Sequence, residues 1–339
     1  MIGGARTSAA RIRVGLFSAA HMHFDSYAAL LGARPDVELV GVTDSDAARG
    51  QAAAQRLHLP WVALPETLVA RSEVAVVTAE NVHHRRYVEL AGRAGLTVLC
   101  EKPLATTLAD ADAMLEATAS GGGHLYAALP VRGLPAVGRL RQLVQSGQLG
   151  RILAMAGSNH GQLPPGWFLD PALSGGGAVM DHVSHVADMM RWVLADEVAR
   201  VYALASNRIN GTAVEDAALM QFTFRGGTVA TLDPSWSRPR GFPTWGDVRL
   251  DVVGTAGVAA LDPWAEQLEW FRSRPAVHRV APYGPDMDAL LIDRFVVAAA
   301  GGPVAPELAT GQDGRAATAV TLAAYDSIRL ERPVDIAVV

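Results

Sequence analysis

Short apolar runs alternate with helical patterns through the first third of the chain, and this alternation constrains the fold more than any other feature. The predicted strands cover Arg11–Ser18, Val37–Thr43, Val74–Thr78, Thr97–Cys100 and His124–Leu129. The predicted helices between them cover Phe24–Ala33, Ala47–Leu57, Val82–Ala94 and Leu108–Ala119. Strands that alternate with helices form βαβ units around a parallel sheet. We therefore predict a doubly wound α/β domain over residues 11–129, with a flexible terminus over residues 1–10.

The pattern changes from Pro130 onward. One amphipathic helix comes first, then a Gly/Pro-rich loop and a helix that begins near Gly177. The predicted strands of this part are Ile152–Asn159, Val201–Arg208, Ala217–Phe224, Thr228–Ser235, Asp247–Val253 and Val258–Leu261. Closing helices are predicted over Asp286–Ala300 and Gln312–Leu330. Successive strands separated by turns indicate a mostly antiparallel open sheet, so residues 130–339 are predicted to form a second α/β domain.

Charge and composition narrow the classes of function. The formal net charge is -5 and no run of Lys or Arg is present, which disfavours a nucleic-acid binder. Apolar stretches such as Val296–Ala300 are far shorter than the roughly 20 residues that cross a bilayer, so no membrane association is expected. The start of the chain lacks a basic and apolar secretory pattern, and Cys100 is the only cysteine. A cytoplasmic protein that acts on small molecules is expected.

The first strand, turn and helix, with an acidic residue after the second strand, have the layout of a dinucleotide-binding fold. Asp44 occupies the acidic position, 26 residues after Ser18. A carboxylate there accepts hydrogen bonds from the adenosine ribose and repels a 2′-phosphate, which favours NAD over NADP. The alternative is that Asp44 caps the next helix through its side chain.

The turn itself lacks the glycines of the G-x-G-x-x-G pattern. Its positions read Ser18, Ala19, Ala20, His21 and Met22, followed by His23. Ser and Ala are small enough for a pyrophosphate to approach, and the helix N-terminus offers free N–H groups. The two histidines could hydrogen-bond a phosphate or a substrate. No metal site is expected, because the neighbouring sequence supplies no further ligands.

Lys102 stands out because 28 of the 29 basic residues are arginine and it is the only lysine. It follows a predicted parallel strand, at the edge where open α/β sheets bind ligands. A buried lysine can exchange a proton, whereas arginine keeps its proton. Pro103 restricts Lys102 to an extended conformation. Lys102 is therefore a candidate proton carrier. The alternative is that Lys102 has no special role and was left by chance in a sequence that uses arginine for its other basic residues.

A second candidate group lies on the helix that follows three consecutive glycines. Asp181, His185 and Asp188 recur at i, i+4 and i+7, next to an apolar stripe of valines and methionines. A histidine beside a carboxylate is a suitable proton carrier near neutral pH. The alternative is a solvated pair on an exposed helix face.

Several motifs together resemble the Gfo/Idh/MocA family, named for glucose-fructose oxidoreductase and inositol dehydrogenase. The resemblance runs nearly end to end. It rests on the strand ending in Asp44, Thr78–His84 for the T-P-N-x-x-H loop, Glu101-Lys102-Pro103-Leu104 for EKPL, Arg132-x-x-Pro135, Ser146–Gly150, Gly175–His185 for GGG with D-x-x-x-H, and Gly311–Arg315.

The resemblance implies an N-terminal Rossmann domain and a C-terminal α/β domain whose open sheet forms a homodimer or homotetramer interface. It implies that Lys102 and His185 handle the proton of a substrate hydroxyl and that Asp181 assists His185. Hydride would pass between the sugar carbon and the nicotinamide. The implied cofactor-lining residues are Thr78, Asn81, His84, Glu101 and Lys102, and the implied substrate contacts are Arg132, Trp167 and His185.

The sequence therefore supports an NAD-dependent oxidoreductase that acts on a secondary hydroxyl or ketone of a sugar, cyclitol or related polyol. Two alternatives remain at this point. One is a non-catalytic sensor that keeps the fold and the nucleotide. The other is an enzyme that holds NAD tightly and catalyses a redox-neutral reaction.

Overall fold

The computed structural model describes residues 11–265, 267–273, 276–282 and 284–337 and divides into two units. A parallel five-stranded sheet forms the centre of the first unit. Its strands are β1 (Ile12–Phe17), β2 (Val37–Thr43), β3 (Val74–Val77), β4 (Thr97–Cys100) and β5 (Leu125–Ala127). They lie in the order β2-β1-β3-β4-β5, and every pairing is parallel. The predicted doubly wound domain is confirmed. The predicted flexible terminus lies outside the described residues.

Five helices connect these strands: α1 (Phe24–Gly32), α2 (Ala47–Leu57), α3 (Pro65–Arg71), α4 (His84–Arg93) and α5 (Leu108–Gly121). A 3-10 turn over Asn81–His83 precedes α4. Helix α3 was not predicted. It has only seven residues and starts at a proline, so its periodic signal is short.

The second unit contains a seven-stranded sheet with one parallel pairing. Its strands are β6 (Ile152–Gly161), β7 (Val198–Ser206), β8 (Ala217–Phe224), β9 (Val229–Asp233), β10 (Gly246–Gly254), β11 (Val258–Leu261) and β14 (Val334–Asp335). The order is β11-β10-β6-β9-β8-β7-β14, and only β6 and β9 pair in parallel. The predicted mostly antiparallel sheet is confirmed. A further hairpin, β12 (Gln267–Ser273) with β13 (Ala276–Pro282), was not predicted.

The helices of the remaining chain are α6 (Pro135–Gln145), α7 (Pro171–Ser174), α8 (Ala178–Leu194), α9 (Met287–Ala299) and α10 (Gly311–Leu330), with 3-10 turns over Pro130–Gly133 and Gly166–Leu169. Helix α8 packs on one face of the seven-stranded sheet, where Gly157 of β6 faces Val186 and Met190. Almost every residue of α8 is buried, including the polar stripe that the alternative interpretation placed in solvent.

The boundary between the two units falls at residues 129 and 130, as in the sequence analysis, but one segment changes sides. Asp288–Arg315 belongs to the first unit, whereas the sequence analysis placed it in the second domain. The reason is packing, because Leu291, Ile292 and Phe295 of α9 are buried in the same apolar cluster as β1. No helix in the described ranges is long and apolar enough to cross a membrane.

Candidate functional site

The turn after β1 keeps the shape of a glycine turn although it contains no glycine. Ser18 has φ 70°, in the left-handed region that favours glycine, and its side chain is buried. Its hydroxyl donates to Asp44 Oδ2 at 3.1 Å and accepts from the Ala20 N–H at 3.3 Å. These bonds hold the residue in a conformation that a larger side chain would disfavour. Ser18 therefore occupies the first position of the predicted turn, and its side-chain hydrogen bonds stabilise the left-handed conformation there.

Thr78, at the end of β3, supports the same turn. Its hydroxyl donates to the Ser18 carbonyl at 2.7 Å, and its own carbonyl accepts the His21 N–H at 2.9 Å. Neighbouring parallel strands bring their carboxyl ends to one edge of the sheet, so residues 60 apart in sequence meet here. Thr78 therefore holds the main chain at the predicted nucleotide turn.

Asp44 lies at the carboxyl end of β2 and is surrounded by donors. Its carboxylate accepts from the N–H groups of Ala19 at 2.7 Å and Asp46 at 2.9 Å. Arg49 donates to both oxygens, at 2.9 and 2.6 Å. Burial opposes the charge of Asp44, but the bonds from Arg49, Ala19 and Asp46 outweigh it, so the pKa of Asp44 lies below its ordinary value.

The alternative that Asp44 caps the next helix is not what the structure shows. The N-cap of α2 is Asp46, whose carboxylate accepts from the N–H groups of Ala48 and Arg49. Arg49 itself also reaches Glu80 Oε1, at 2.8 Å from its Nη1. The sequence analysis did not single out Arg49 or Glu80 as site residues. The acidic position after β2 is therefore a network of two carboxylates bridged by one guanidinium.

Glu101, at the end of β4, is buried against the two histidines of the turn. Its Oε1 lies 2.9 Å from His23 Nδ1 and 3.7 Å from His21 Nδ1. Burial raises the pKa of Glu101, but His21, His23 and Lys102 outweigh it and hold the pKa well below its usual range. For His23, burial lowers the pKa, and the attraction and hydrogen bond of Glu101 raise it above its ordinary value.

Lys102 follows β4 directly and is 5% exposed. Its main-chain N–H donates to Glu101 Oε2 at 3.1 Å, and the Lys102–Pro103 peptide bond is cis. The carboxyl end of a parallel strand is where this fold class binds its ligands. Lys102 therefore lies on the same edge as Ser18, Asp44 and Thr78.

His84 and Asn81 belong to the loop after β3. His84 is fully buried, with Nδ1 3.1 Å from the Pro103 carbonyl and Nε2 3.1 Å from the Ala79 carbonyl. Burial lowers the pKa of His84. These contacts connect the loop to the segment after Lys102 and give His84 a supporting role. Contact of Asn81 or His84 with a cofactor stays a prediction.

In the second unit, the glycines before α8 make room for two side chains. A Cβ on Gly176 would overlap the Tyr325 hydroxyl, and one on Gly177 would overlap the Glu215 carbonyl. Glu215 Oε1 accepts from the Gly177 N–H at 2.8 Å, the Val179 N–H at 3.1 Å and the Tyr325 hydroxyl at 2.6 Å. A carboxylate at a helix N-terminus satisfies free N–H groups and complements the helix dipole. Glu215 and Tyr325 thus anchor the start of α8.

Asp181 lies in the first turn of α8, and its carboxylate is held by residues from outside its own stripe. Trp236 Nε1 donates to Asp181 Oδ2 at 3.1 Å, and His182 Nε2 lies 3.2 Å from the same oxygen. His182 Nδ1 lies 2.9 Å from the Asn159 carbonyl, which orients the ring. His182 and Trp236 were not predicted. His185, one turn further on, is 8% exposed.

Asp188, the third member of the predicted stripe, is engaged in a buried ion pair. Arg132 donates to both of its oxygens, with Nε 2.6 Å from Oδ2, and Arg191 Nη1 lies 3.7 Å from Oδ1. Arg132 is 2% exposed and also lies over the Trp192 ring. A paired, buried guanidinium of this kind supports the local packing of α8. Its predicted contact with substrate stays a prediction.

Trp167, in the 3-10 turn Gly166–Leu169, stacks on Phe168. Their ring centroids are 3.9 Å apart and the rings are inclined by 21°. Phe168 is buried and Trp167 is partly exposed. The indole therefore has a rigid support beneath it, and its predicted role toward substrate stays a prediction.

Sequence reasoning missed six residues that support the site: Arg49, Glu80, His182, Glu215, Trp236 and Tyr325. Arg49 and His182 are close in sequence to Asp44 and Asp181, whereas the other four lie far along the chain from the groups that they contact. The only local signals were the position of His182 inside the D-H-V-S-H motif and of Arg49 on the first turn of a helix beside Asp44. Sequence spacing does not reveal pairings across strands and loops.

A parallel-sheet unit with an acidic residue after β2, followed by a unit with an open sheet, defines the two-domain NAD(P)-dependent oxidoreductases. Residues 12–128 match the family model described as "Oxidoreductase family, NAD-binding Rossmann fold". Residues 137–260 match the GFO/IDH/MocA C-terminal domain. The chain belongs to the Gfo/Idh/MocA family and is an NAD(P)-dependent dehydrogenase of that family.

Named relatives and solved structures agree with this assignment. A myo-inositol dehydrogenase of Streptomyces leeuwenhoekii is 30% identical over 84% of this chain and 88% of its own. A 1,5-anhydro-D-fructose reductase of Ensifer adhaerens is 32% identical over 65% of this chain and 67% of its own. The structure of GenD2 from gentamicin A biosynthesis, in complex with NAD, covers 100% of both chains with a TM-score of 0.86 at 24% identity. The last similarity concerns the fold alone.

Proposed function

We propose that this protein is an NAD-dependent dehydrogenase that transfers hydride between nicotinamide and a secondary hydroxyl or ketone of a sugar, cyclitol or related polyol. The observation that carries this proposal is Lys102, the only lysine of the chain, buried at the ligand-binding edge of the parallel sheet. The names of the relatives, which include inositol dehydrogenases and an anhydrofructose reductase, support the substrate class. A single cysteine, Cys100, is compatible with a cytoplasmic location.

The residues at this edge fit a dinucleotide. Ser18 adopts the left-handed conformation that the first turn requires, and the N-terminus of α1 follows it. Asp44 and Glu80 place two carboxylates at the ends of β2 and β3 around the single guanidinium of Arg49. The three groups keep one net negative charge, which disfavours a 2′-phosphate and supports NAD over NADP. When bound, the cofactor supplies the hydride acceptor or donor. The chain supplies orientation and proton transfer.

We assign the transfer of the proton of the reacting hydroxyl to Lys102 and His185. Lys102 has a titratable amine that an arginine at the same place would lack. His185 has an imidazole on a helix whose first turn carries Asp181, and Asp181 is oriented by Trp236 and His182. Asp181, four residues before His185 on the same helix face, is proposed to hold or assist His185.

The test begins with calorimetric titration of NAD and NADP into the purified protein, after its spectrum has been checked for bound cofactor. Initial rates follow with myo-inositol and related polyols. Lys102→Arg should keep the fold and NAD affinity and lose about 10²–10⁴-fold in kcat. Arg93→Lys, an exposed cation exchange on α4, is the matched control and should keep the rate. His185→Asn should remove one limb of the pH–rate profile.

The outcomes separate the alternatives. An active Lys102→Arg enzyme would overturn the role of Lys102. Failure to bind either nucleotide would favour the non-catalytic sensor. Turnover with retained cofactor and no net release of NADH would favour the redox-neutral enzyme.

A further inference from the structure

We propose that His21, His23 and Glu101 form a binding site for one divalent cation of the zinc class. This inference goes beyond the proposed function and does not depend on it. The sequence analysis expected no metal site, because the turn that holds the two histidines has no further ligand nearby. The fold supplies one, since Glu101 at the end of β4 meets His23 across 78 residues of sequence.

The donor atoms have spacings that suit a single ion. Glu101 Oε1 lies 2.9 Å from His23 Nδ1 and 3.7 Å from His21 Nδ1, and the three ligand atoms lie within 4.8 Å of one another. Zinc binds nitrogen and carboxylate oxygen at about 2.0–2.2 Å, so tetrahedral ligands are about 3.3–3.5 Å apart. The two distances to Glu101 bracket this value. A single tetrahedral ion requires the separation between the two histidine nitrogens, which is within 4.8 Å, to be about 3.5 Å.

The chemistry of these atoms also suits a cation. His21 Nδ1 accepts the His23 main-chain N–H at 3.2 Å, so this nitrogen carries no proton, and a bound ion would replace that N–H at its lone pair. The same nitrogen faces the Glu101 carboxylate, which also presents lone pairs. Neutral imidazole and ionised carboxylate are the forms that bind metal ions.

Burial and charge point to the same class of ion. The side chains of His21 and Glu101 are 1% and 0% exposed, and that of His23 is 19% exposed, so His23 faces the side from which an ion can enter. Glu101 contributes one carboxylate to the cluster, and His21 and His23 contribute nitrogen. Two nitrogen ligands select Zn²⁺ over Mg²⁺ or Ca²⁺, which prefer oxygen. Three protein ligands leave one position for water.

The experiment uses the full chain without an affinity tag, treated with a chelator and then freed of it. We expect Zn²⁺ titrated alone to bind one per chain, and Mg²⁺ to give no saturable binding. His23→Asn and Glu101→Gln should each weaken the affinity for Zn²⁺ at least about tenfold. His21→Asn provides a third ligand variant if Glu101→Gln fails to fold, as judged by circular dichroism.

His160→Asn is the matched control, because His160 is also held between carboxylates, 3.0 Å from Asp233 and 3.7 Å from Asp247. It should bind Zn²⁺ like the wild type. Absence of saturable Zn²⁺ binding by the wild type would overturn the proposal. So would wild-type affinity in folded His23→Asn, or loss of binding in His160→Asn alone.

Discussion

Asp44 illustrates how a single residue combines a structural and a ligand-binding role. Its carboxylate accepts hydrogen bonds from Ser18, Ala19, Asp46 and Arg49, and its side chain is fully buried. A ribose diol that bonds to Asp44 must compete with these donors. The exposed partner is Arg49, at 28% side-chain exposure, so it is the donor that can move aside most easily.

The lowered pKa of Asp44 predicts a pH-dependent contribution to stability. A carboxylate whose pKa falls on folding stabilises the folded state above its unfolded pKa of about 3.9, and this stabilisation is lost as the pH falls through the folded pKa. Asp44→Asn should therefore lower the free energy of unfolding by about 2 kcal/mol at pH 6. The difference from wild type should shrink as the pH approaches 2.

Denaturant titrations from about pH 2 to 7 measure this effect. Asp46→Asn is the matched control two residues away, because asparagine is as good an N-cap as aspartate and should leave stability nearly unchanged. A difference between Asp44→Asn and wild type that is independent of pH would contradict the assignment of the lowered pKa to Asp44.

At the scale of single elements, helix α8 depends on what surrounds its first turn. Its apolar stripe was recognisable from periodicity, and so was the stripe of Asp181, His185 and Asp188. The burial of the apolar stripe follows from the same periodicity, but the burial of the polar stripe was not recognisable, because it results from packing within the fold and from the Arg132–Asp188 ion pair. Periodicity shows which residues share a helix face, but the residues that pack against that face come from other parts of the chain.

The glycines before α8 lead to a prediction about close packing. A Cβ on Gly177 would overlap the Glu215 carbonyl, and neighbouring main chain has little freedom to move away. Gly177→Ala should therefore lower the free energy of unfolding by about 1–3 kcal/mol. It should also increase hydrogen exchange of the Val179 amide, whose N–H donates to Glu215 Oε1 in the wild type.

Gly138→Ala, inside α6 with open space around its Cβ position, is the control. It should stabilise the protein by about 0.5–1 kcal/mol, because alanine favours the helix. Thermal or denaturant unfolding of both variants measures the contrast. Equal effects of the two substitutions would show that the close approach at Gly177 is unimportant.

At the scale of the whole molecule, the seven-stranded sheet has one face that α8 does not cover. Five exposed apolar residues of the sheet share that face: Leu204, Leu219, Val229, Val253 and Val258. Leu204 and Leu219 are direct cross-strand partners and are 55% and 60% exposed. An apolar patch of this kind on a sheet typically marks an interface. It supports the expectation of a homodimer or homotetramer through this sheet.

Leu219→Glu should disrupt that assembly, because it places a charge in the middle of the apolar face. The molar mass measured by light scattering on a sizing column should fall to that of one chain, 35.7 kDa. Val304→Glu, at a residue 52% exposed in the first unit, is the control and should keep the wild-type mass. A monomeric wild type, or an unchanged mass for Leu219→Glu, would exclude this interface.

The amino-acid sequence by itself determined the parallel βαβ unit, the change to an antiparallel sheet after residue 130, the family, and the candidates Asp44, Lys102 and His185. These features follow from local periodicity and from motifs of adjacent residues, and neither depends on the tertiary structure. Only the tertiary structure decided the partners, such as Glu101 for the two histidines, Thr78 for Ser18, and Trp236 for Asp181. It also placed Asp288–Arg315 with the first unit. The physical reason is that such contacts depend on which strand ends and loops meet, and no local pattern encodes a neighbour that lies 50 or 70 residues away.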